Sequence, residues 1–405
     1  MIHIAGSQIA GSQIDGGSAG SDEREMIVGL ARTVGEKFGL DYWRRQDELG
    51  AFPADAWREI CRAGLCGVAL PEEFGGAGLG MVEMALIVEE LAAAGAGATV
   101  GQLFMINPIF GGVAVSRYGT PALQAAVLPP LVRGDLTCCM ALTEPDAGTN
   151  TLEIRTSARP DGEGWLLRGT KIWITAVPDA AKMLVVARTR PLAEVAHRSD
   201  GISMFLIDLP RDGVAHESIP KVGTNTLAAS TVHFDDVRVS GDELVGTLHG
   251  GWRELLDVLN TERIVTTAAL VGAGRLAERL AVDYAAERKV FGVTPIGAYQ
   301  GIQFPLAQAH AELACARVMN LHAAGLHDAG LPYGREANMA KLVAAQAASA
   351  AIDRAMQTLG GMGFAKESHV ERLWRDARLF KFAPVSEEML LNYIAVHCLG
   401  MPRSY

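Results

Sequence analysis

The apolar positions of the chain change period twice. From about Glu23 to Val132 they recur at helical spacing: Val28, Leu30 and Ala31 open one stripe, and between Met81 and Ala94 the side chains of Met84, Ile87, Val88 and Leu91 fall at i, i+3 and i+4. Pro71 and the run GGAGLG from Gly75 to Gly80 punctuate a long loop between these stripes. After Gly134 the pattern shortens to strand-like runs at Thr137, Met140 and Leu142, then 165–167, 171–175, 183–187, 204–207 and 231–239, separated by Gly, Pro and Asp. From Trp252 onward helical spacing returns, after Gly250 and Gly251, and persists nearly to the end with breaks at Gly360, Gly361 and Gly363. The expected architecture is α+β and mainly α: a flexible Gly/Ser-rich tail over 1–22 that repeats AGSQI, an N-terminal helical domain over 23–135, a middle β domain over 136–248 and a C-terminal helical domain over 249–405.

Length and composition agree with that division. A chain of 405 residues exceeds one ordinary core, and 49% hydrophobic, 20% charged and 6% aromatic residues describe a soluble globular protein. A formal net charge of -10 argues against a binder of nucleic-acid backbones, which needs clustered Lys and Arg. No run of about 18 apolar residues without a charge is apparent, and Asp15, Asp22 and Glu23 precede the first basic residue, Arg24. No membrane partner and a cytoplasmic location are the expectations. The six cysteines lack metal spacing and read as reduced structural thiols, and the ten histidines include no H-E-x-x-H pair, so no metal site is expected.

Two glycine motifs are decoys. Gly16-Gly17-Ser18-Ala19-Gly20 fits a nucleophile elbow but lies in the expected tail, without a strand-to-helix turn. Gly272-Ala273-Gly274-Arg275-Leu276-Ala277 fits a dinucleotide fingerprint, yet a helical pattern precedes it, and its glycines read better as helix-packing positions. Glu262 carries more chemistry. Val258, Leu259, Val265 and Thr266 share its helical face, so the carboxylate lies on an apolar stripe, where desolvation would raise its pKa and make it a usable base. On pattern alone a surface Glu beside Arg263 remains equally open.

Six segments decide further: Ala141-Leu142-Thr143-Glu144-Pro145-Asp146-Ala147-Gly148-Thr149, Gly169-Thr170-Lys171-Ile172-Trp173-Ile174-Thr175, Phe234-Asp235-Asp236-Val237-Arg238-Val239, Glu287-Arg288-Lys289-Val290-Phe291-Gly292, Gln357-Thr358-Leu359-Gly360-Gly361-Met362-Gly363 and Arg375-Asp376-Ala377-Arg378. In this order and spacing the chain resembles the acyl-CoA dehydrogenase family over nearly its whole length beyond the tail. The resemblance implies a helical N-terminal domain, a β-barrel-like middle domain and a C-terminal four-helix bundle, assembled as a dimer of dimers. It implies FAD as cofactor, an acyl-CoA thioester as substrate and an electron-transferring flavoprotein as electron acceptor.

By the same resemblance Met140, Leu142, Thr143, Gly148, Thr149, Trp173, Ile174, Thr175, Ser386 and Glu388 would meet the cofactor from one subunit. Arg288, Phe291, Gln300, Gln357, Gly360 and Gly361 would meet it from a neighbour. Gln300 follows a loop one residue longer than usual. Thr149, Leu259, Arg263 and Phe104 would meet the substrate, and the segment from Val100 to Ile106 would line an apolar acyl pocket for a plain or branched chain. The family places its catalytic glutamate either in a loop after R-D-A-R or in the helix represented here by Glu262. Pro384 occupies the loop position and cannot abstract a proton, so the resemblance assigns the base to Glu262, as in the isovaleryl and long-chain branches. Pro384 also lacks the N–H that the family uses to polarise the thioester carbonyl, a donor worth ~2.7 to 4 kcal/mol in comparable sites. Glu387 and Glu388 could replace Glu262 only from a rearranged loop. Thr149 in place of Ser and Asn150 in place of Asp are milder departures.

Overall fold

The structure, a computed structural model, describes residues 20–403. Most of the expected tail, including all but Gly20 of the Gly16-to-Gly20 decoy, therefore lies outside the described residues, and the first helix opens at Ser21, two residues before the expected boundary. Six helices form the N-terminal part: α1 Ser21–Leu49, α2 Ala54–Arg62, α3 Met81–Leu91, α4 Thr99–Phe104, α5 Ala114–Tyr118 and α6 Pro121–Arg133. Between α4 and α5 the backbone widens to π-type turns over Met105–Val113, where Pro108 cannot supply the N–H of a regular turn. Asn107 repairs part of the loss, donating to the Leu103 carbonyl at 3.2 Å while its own carbonyl accepts from Cys138 N–H at 2.8 Å. The stretch Thr99–Tyr118 is long and apolar enough to cross a membrane, contrary to the sequence expectation of no such run, but it is almost entirely buried inside the protein.

The middle part is an eight-stranded sheet of β1 Cys138–Ala141, β2 Ser157–Asp161, β3 Gly164–Thr175, β4 Lys182–Arg188, β5 Ile202–Asp208, β6 Val214–Ser218, β7 Ala229–Val239 and β8 Leu244–Val245. Its order is β6-β7-β3-β2-β4-β5-β8, with β1 alongside β4. The two expected runs at 165–167 and 171–175 are one strand, β3, interrupted by register shifts on β7 between Leu167 and Gly169 and between Lys171 and Ile174. At the first shift Gly169 has φ +154°, and a Cβ there would lie 2.5 Å from Thr156 Oγ1. β2, β6 and β8 have no counterpart among the expected runs because they are short or carry polar and proline residues.

The C-terminal part consists of α7 Gly251–Glu287, α8 Gln300–Asp328, α9 Gly334–Leu359, α10 Val370–Leu379 and α11 Glu387–His397. The decoy glycines lie within α7 and do pack helices: a Cβ on Gly272 would sit 2.2 Å from the Glu89 carbonyl oxygen of α3, and one on Gly274 2.7 Å from Leu313 of α8. Gly101 plays the same part for α4, where a Cβ would lie 2.6 Å from the Ala269 Cβ of α7. One apolar cluster consequently runs from the N-terminal helices through β1 into the first half of α7, a second fills the bundle of α7, α8, α9 and α10, and a third lies inside the sheet. The R-D-A-R segment of α10 ties the parts together. Asp376, fully buried, accepts from Thr224 N–H at 2.5 Å and Thr99 Oγ1 at 3.4 Å, while Arg375 reaches Asp47 of α1 at 2.7 Å and the Val222 carbonyl at 3.0 Å.

Candidate active site

Glu262 projects from α7 where Val258, Ile264 and Val265 are all buried, and its own residue is 0% exposed. The surface alternative is thereby removed. One carboxylate oxygen accepts from Thr266 Oγ1 at 3.1 Å, and the other, Oε2, has no hydrogen-bond partner among the described residues. Burial pushes its pKa up to about 7, against the opposing charge of Arg263, the Thr266 hydroxyl and the charge of Lys341. A carboxylate with one free oxygen and a pKa near neutrality is poised to take a proton from a neighbouring carbon acid. Beside it Arg263 is nearly enclosed, its pKa lowered by burial, with one guanidinium nitrogen donating to Asn260 Oδ1. Leu259 is half-buried on the preceding turn.

The two motifs of the middle domain meet. Ile172 N–H of β3 donates to the Thr143 carbonyl at 2.9 Å. Lys171, 0% exposed, reaches the Leu142 carbonyl at 2.7 Å and Glu144 at 2.9 Å, and Glu144 also accepts from Arg155 N–H at 2.6 Å and Thr156 N–H at 2.8 Å. This buried pair locks the Thr143 loop to β3. Burial lowers the Lys171 pKa to about 8; it also acts to raise that of Glu144, but Lys171 and the N–H donors outweigh it and hold the carboxylate below its ordinary value. At the second register shift Trp173 takes φ +63°, rare for a bulky residue, and its indole is 55% exposed. Thr143 and Thr175 are partly exposed, whereas Ile174 is 2% exposed and paired with Ser230 of β7. An exposed indole at a strained register shift, beside two partly exposed threonines, suits a flat aromatic ligand with a polar edge. Met140 and Leu142 pack against the same apolar cluster as α7, which joins this face to the helix of Glu262. Gly148 and Thr149 lie exposed at the tip of the loop.

Six of the other expected contacts lie away from Glu262. Arg288, Phe291 and Gln300 lie beyond the far end of α7; Arg288 is 26 residues after Glu262, ~39 Å at helical rise. Gln357, Gly360 and Gly361 end α9, which runs alongside α7 in the same direction: Gly334 at its start sits by Asn260. These six residues thus gather at one end of the bundle, all exposed, with Phe291 fully so and held at φ +51°. They cannot reach a ligand beside Glu262 of the same chain. Phe104 is enclosed, edge-on to Trp57 at 5.8 Å between ring centres, and the segment Val100 to Ile106 is buried apart from Met105. Ser386 caps α11, accepting from Met389 N–H at 3.3 Å, and Glu388 is exposed on its first turn.

Lys341 was not singled out by sequence reasoning, although its charge acts on Glu262. It is fully buried on α9 and donates to the carbonyls of Phe380 at 2.6 Å and Val385 at 2.7 Å, on the segment that carries Pro384. Its signal is visible afterwards as a lone charge among Ala337, Ala340, Ala344 and Ala345.

The chain matches three family models: acyl-CoA dehydrogenase, N-terminal domain, over residues 21–135; middle domain, over 139–237; and C-terminal domain, over 249–399. It is 38% identical over 387 residues to the acyl-CoA dehydrogenase FadE12 of Mycobacterium tuberculosis, covering 95% of this chain and 98% of that one. It is 33% identical to the mitochondrial short-chain specific acyl-CoA dehydrogenase of Bos taurus, covering 95% and 92%. Among solved structures, a glutaryl-coenzyme A dehydrogenase in complex with glutaryl-CoA superposes with a TM-score of 0.90 at 28% identity, covering 95% of this chain and 97% of that one.

Proposed function

The chain belongs to the acyl-CoA dehydrogenase family, and from that premise we propose that it binds FAD and converts an apolar acyl-CoA to the trans-2-enoyl-CoA, with Glu262 as the base. The observation that carries this reading is the buried Glu262 carboxyl, with one oxygen free and its pKa pushed up to about 7. A thioester α-proton is weakly acidic, so its removal needs a carboxylate held against the α-carbon away from water. Glu262 Oε2 is available for that proton, and the Thr266 hydroxyl steadies the other oxygen. FAD, when bound, supplies acceptance of the β-hydride. Trp173 would lie against its ring, while the Thr143 loop, the main chain of Ile174 and Thr175 would hold its polar edge. Pro384 offers no N–H to the thioester carbonyl, so that donor must come from a neighbouring amide such as Val385.

The cluster at the far end of the bundle supports a two-chain site, in which Arg288, Phe291, Gln300, Gln357, Gly360 and Gly361 of one subunit serve the cofactor of another. The half-buried Leu259 and Met105 favour a plain or branched apolar chain, and electrons would leave to an electron-transferring flavoprotein. An anaerobic panel of short, branched, long, aromatic and steroid-type acyl-CoAs, scored by loss of flavin absorbance, tests the reading. Apolar acyl-CoAs should bleach the flavin and free acids should not; reduction by a free acid or by NADH alone would refute the substrate class. Rapid reoxidation of the reduced protein by air would identify an oxidase or monooxygenase on the same fold.

A further inference from the structure

Lys341 is a buried cation that lies between Glu262 and the segment joining α10 to α11. Its ammonium replaces water with two carbonyls, of Phe380 at 2.6 Å and Val385 at 2.7 Å. The Phe380 carbonyl lies at the C-terminal end of α10, where unpaired carbonyls and the helix dipole favour a cation. A neutral donor could satisfy the same two oxygens, whereas enclosing a charge costs several kcal/mol unless another charge compensates. The compensating groups come from two neighbouring helices: Glu262 from α7, and Glu387 and Glu388 from the first turn of α11, with Arg263 of α7 acting in the opposite sense. Burial nevertheless lowers the Lys341 pKa to about 8, so the cation persists at neutral pH.

We propose that Lys341 is a positioning residue for proton abstraction: it clamps the Phe380–Val385 segment against α9 through its two carbonyl hydrogen bonds and adds to Arg263 a second positive charge that favours the ionised Glu262 carboxylate. The proposal rests on the reading of Glu262 as the base. Lys341 does not touch the reacting atoms; it acts through Glu262 and through the loop that carries Pro384. A neutral residue here would leave burial of Glu262 opposed by Arg263 and Thr266 alone, and would free the loop.

The test is the pH profile of anaerobic flavin reduction in single turnover, using FAD-loaded protein and the acyl-CoA that bleaches wild type fastest. With Lys341→Met the acid limb should move alkaline by about half a unit to one unit, below the one to three units of a direct contact pair. Its plateau rate should fall by up to ~10²-fold as the loop loosens. Lys341→Arg should leave the limb in place. An unmoved limb in Lys341→Met at a reduced plateau would make Lys341 structural only and overturn the proposal. Should Lys341→Met not fold, Lys341→Gln is read in the same way. Should neither neutral variant fold, Lys341→Arg decides: a limb in place supports the proposal and a displaced limb overturns it. Failure of the underlying reading looks different, because Glu262→Gln would then reduce its flavin normally whatever residue occupies position 341.

Discussion

A base held ready in an apolar pocket should cost the protein stability, and Glu262 makes that cost measurable. Its pKa is raised by burial from the ordinary 4.5 to about 7. The folded state therefore binds the Glu262 proton more tightly than the unfolded chain does. The stability this confers is fully present below pH 4.5 and is lost as pH rises to about 7. A span of about 2.5 pH units corresponds to ~3 kcal/mol, most of it between pH 5 and pH 8. Glu262→Gln does not ionise and escapes this loss. For a chain of 405 residues the unfolding entropy is ~0.85 kcal/mol/K, so the loss amounts to about 3 °C in Tm. The assay is thermal unfolding of both proteins without acyl-CoA at pH 5 and pH 8, scored as the change in their Tm difference. That subtraction cancels any pH-independent cost of placing an amide beside Thr266. Glu262→Gln should gain about 3 °C on wild type between the two pH values. An unchanged difference, or a relative loss at pH 8, would mean that Glu262 is not desolvated and would refute the reasoning.

Three further outcomes follow from particular contacts. Lys171→Met leaves Glu144 buried without its cation and should cost ~3 to 5 kcal/mol by denaturant unfolding, while the double variant with Glu144→Gln should recover part of that loss. Gly101→Val drives side-chain atoms into Ala269 of α7 and should cost ~1 to 3 kcal/mol, with lower FAD content after purification. Phe291→Ala removes a side chain with no buried surface within its own chain; subunit stability should be unchanged, and, if the proposed two-chain site holds, FAD retention and the apparent mass by size-exclusion chromatography should both fall.

The order helices, strands, helices was legible because the apolar period switches at Gly134 and again at Gly250, and burial enforces those periods wherever an element has one apolar face. The shift that exposes Trp173 was not, since a one-residue slip in β3 leaves no mark in composition; it depends on pairing with β7, distant in sequence. β6 escaped for a related reason: four of its five residues are exposed, so burial selects no alternation there. At the site, the apolar stripe placed Glu262 on a core face of α7, yet pattern could not separate a buried carboxylate from a surface one; the superposed packing of α4 and α9 does. Lys341 was hidden because its partners are backbone carbonyls 39 and 44 residues away, which no motif spacing encodes. The separation of the Arg288 and Gly360 groups from Glu262 likewise depends on helix length and direction, visible only once α7 and α9 are built.

The central claim is that Glu262 removes the α-proton, and the rate of anaerobic flavin reduction in Glu262→Gln tests it most directly. The substitution keeps size and polarity, so FAD content and acyl-CoA binding should match wild type, while the reduction rate should fall by at least ~10²-fold, the lower range for a positioned general base. A near wild-type rate in Glu262→Gln, together with a collapsed rate in Glu387→Gln or Glu388→Gln, would contradict the account and place the base in the segment after Pro384.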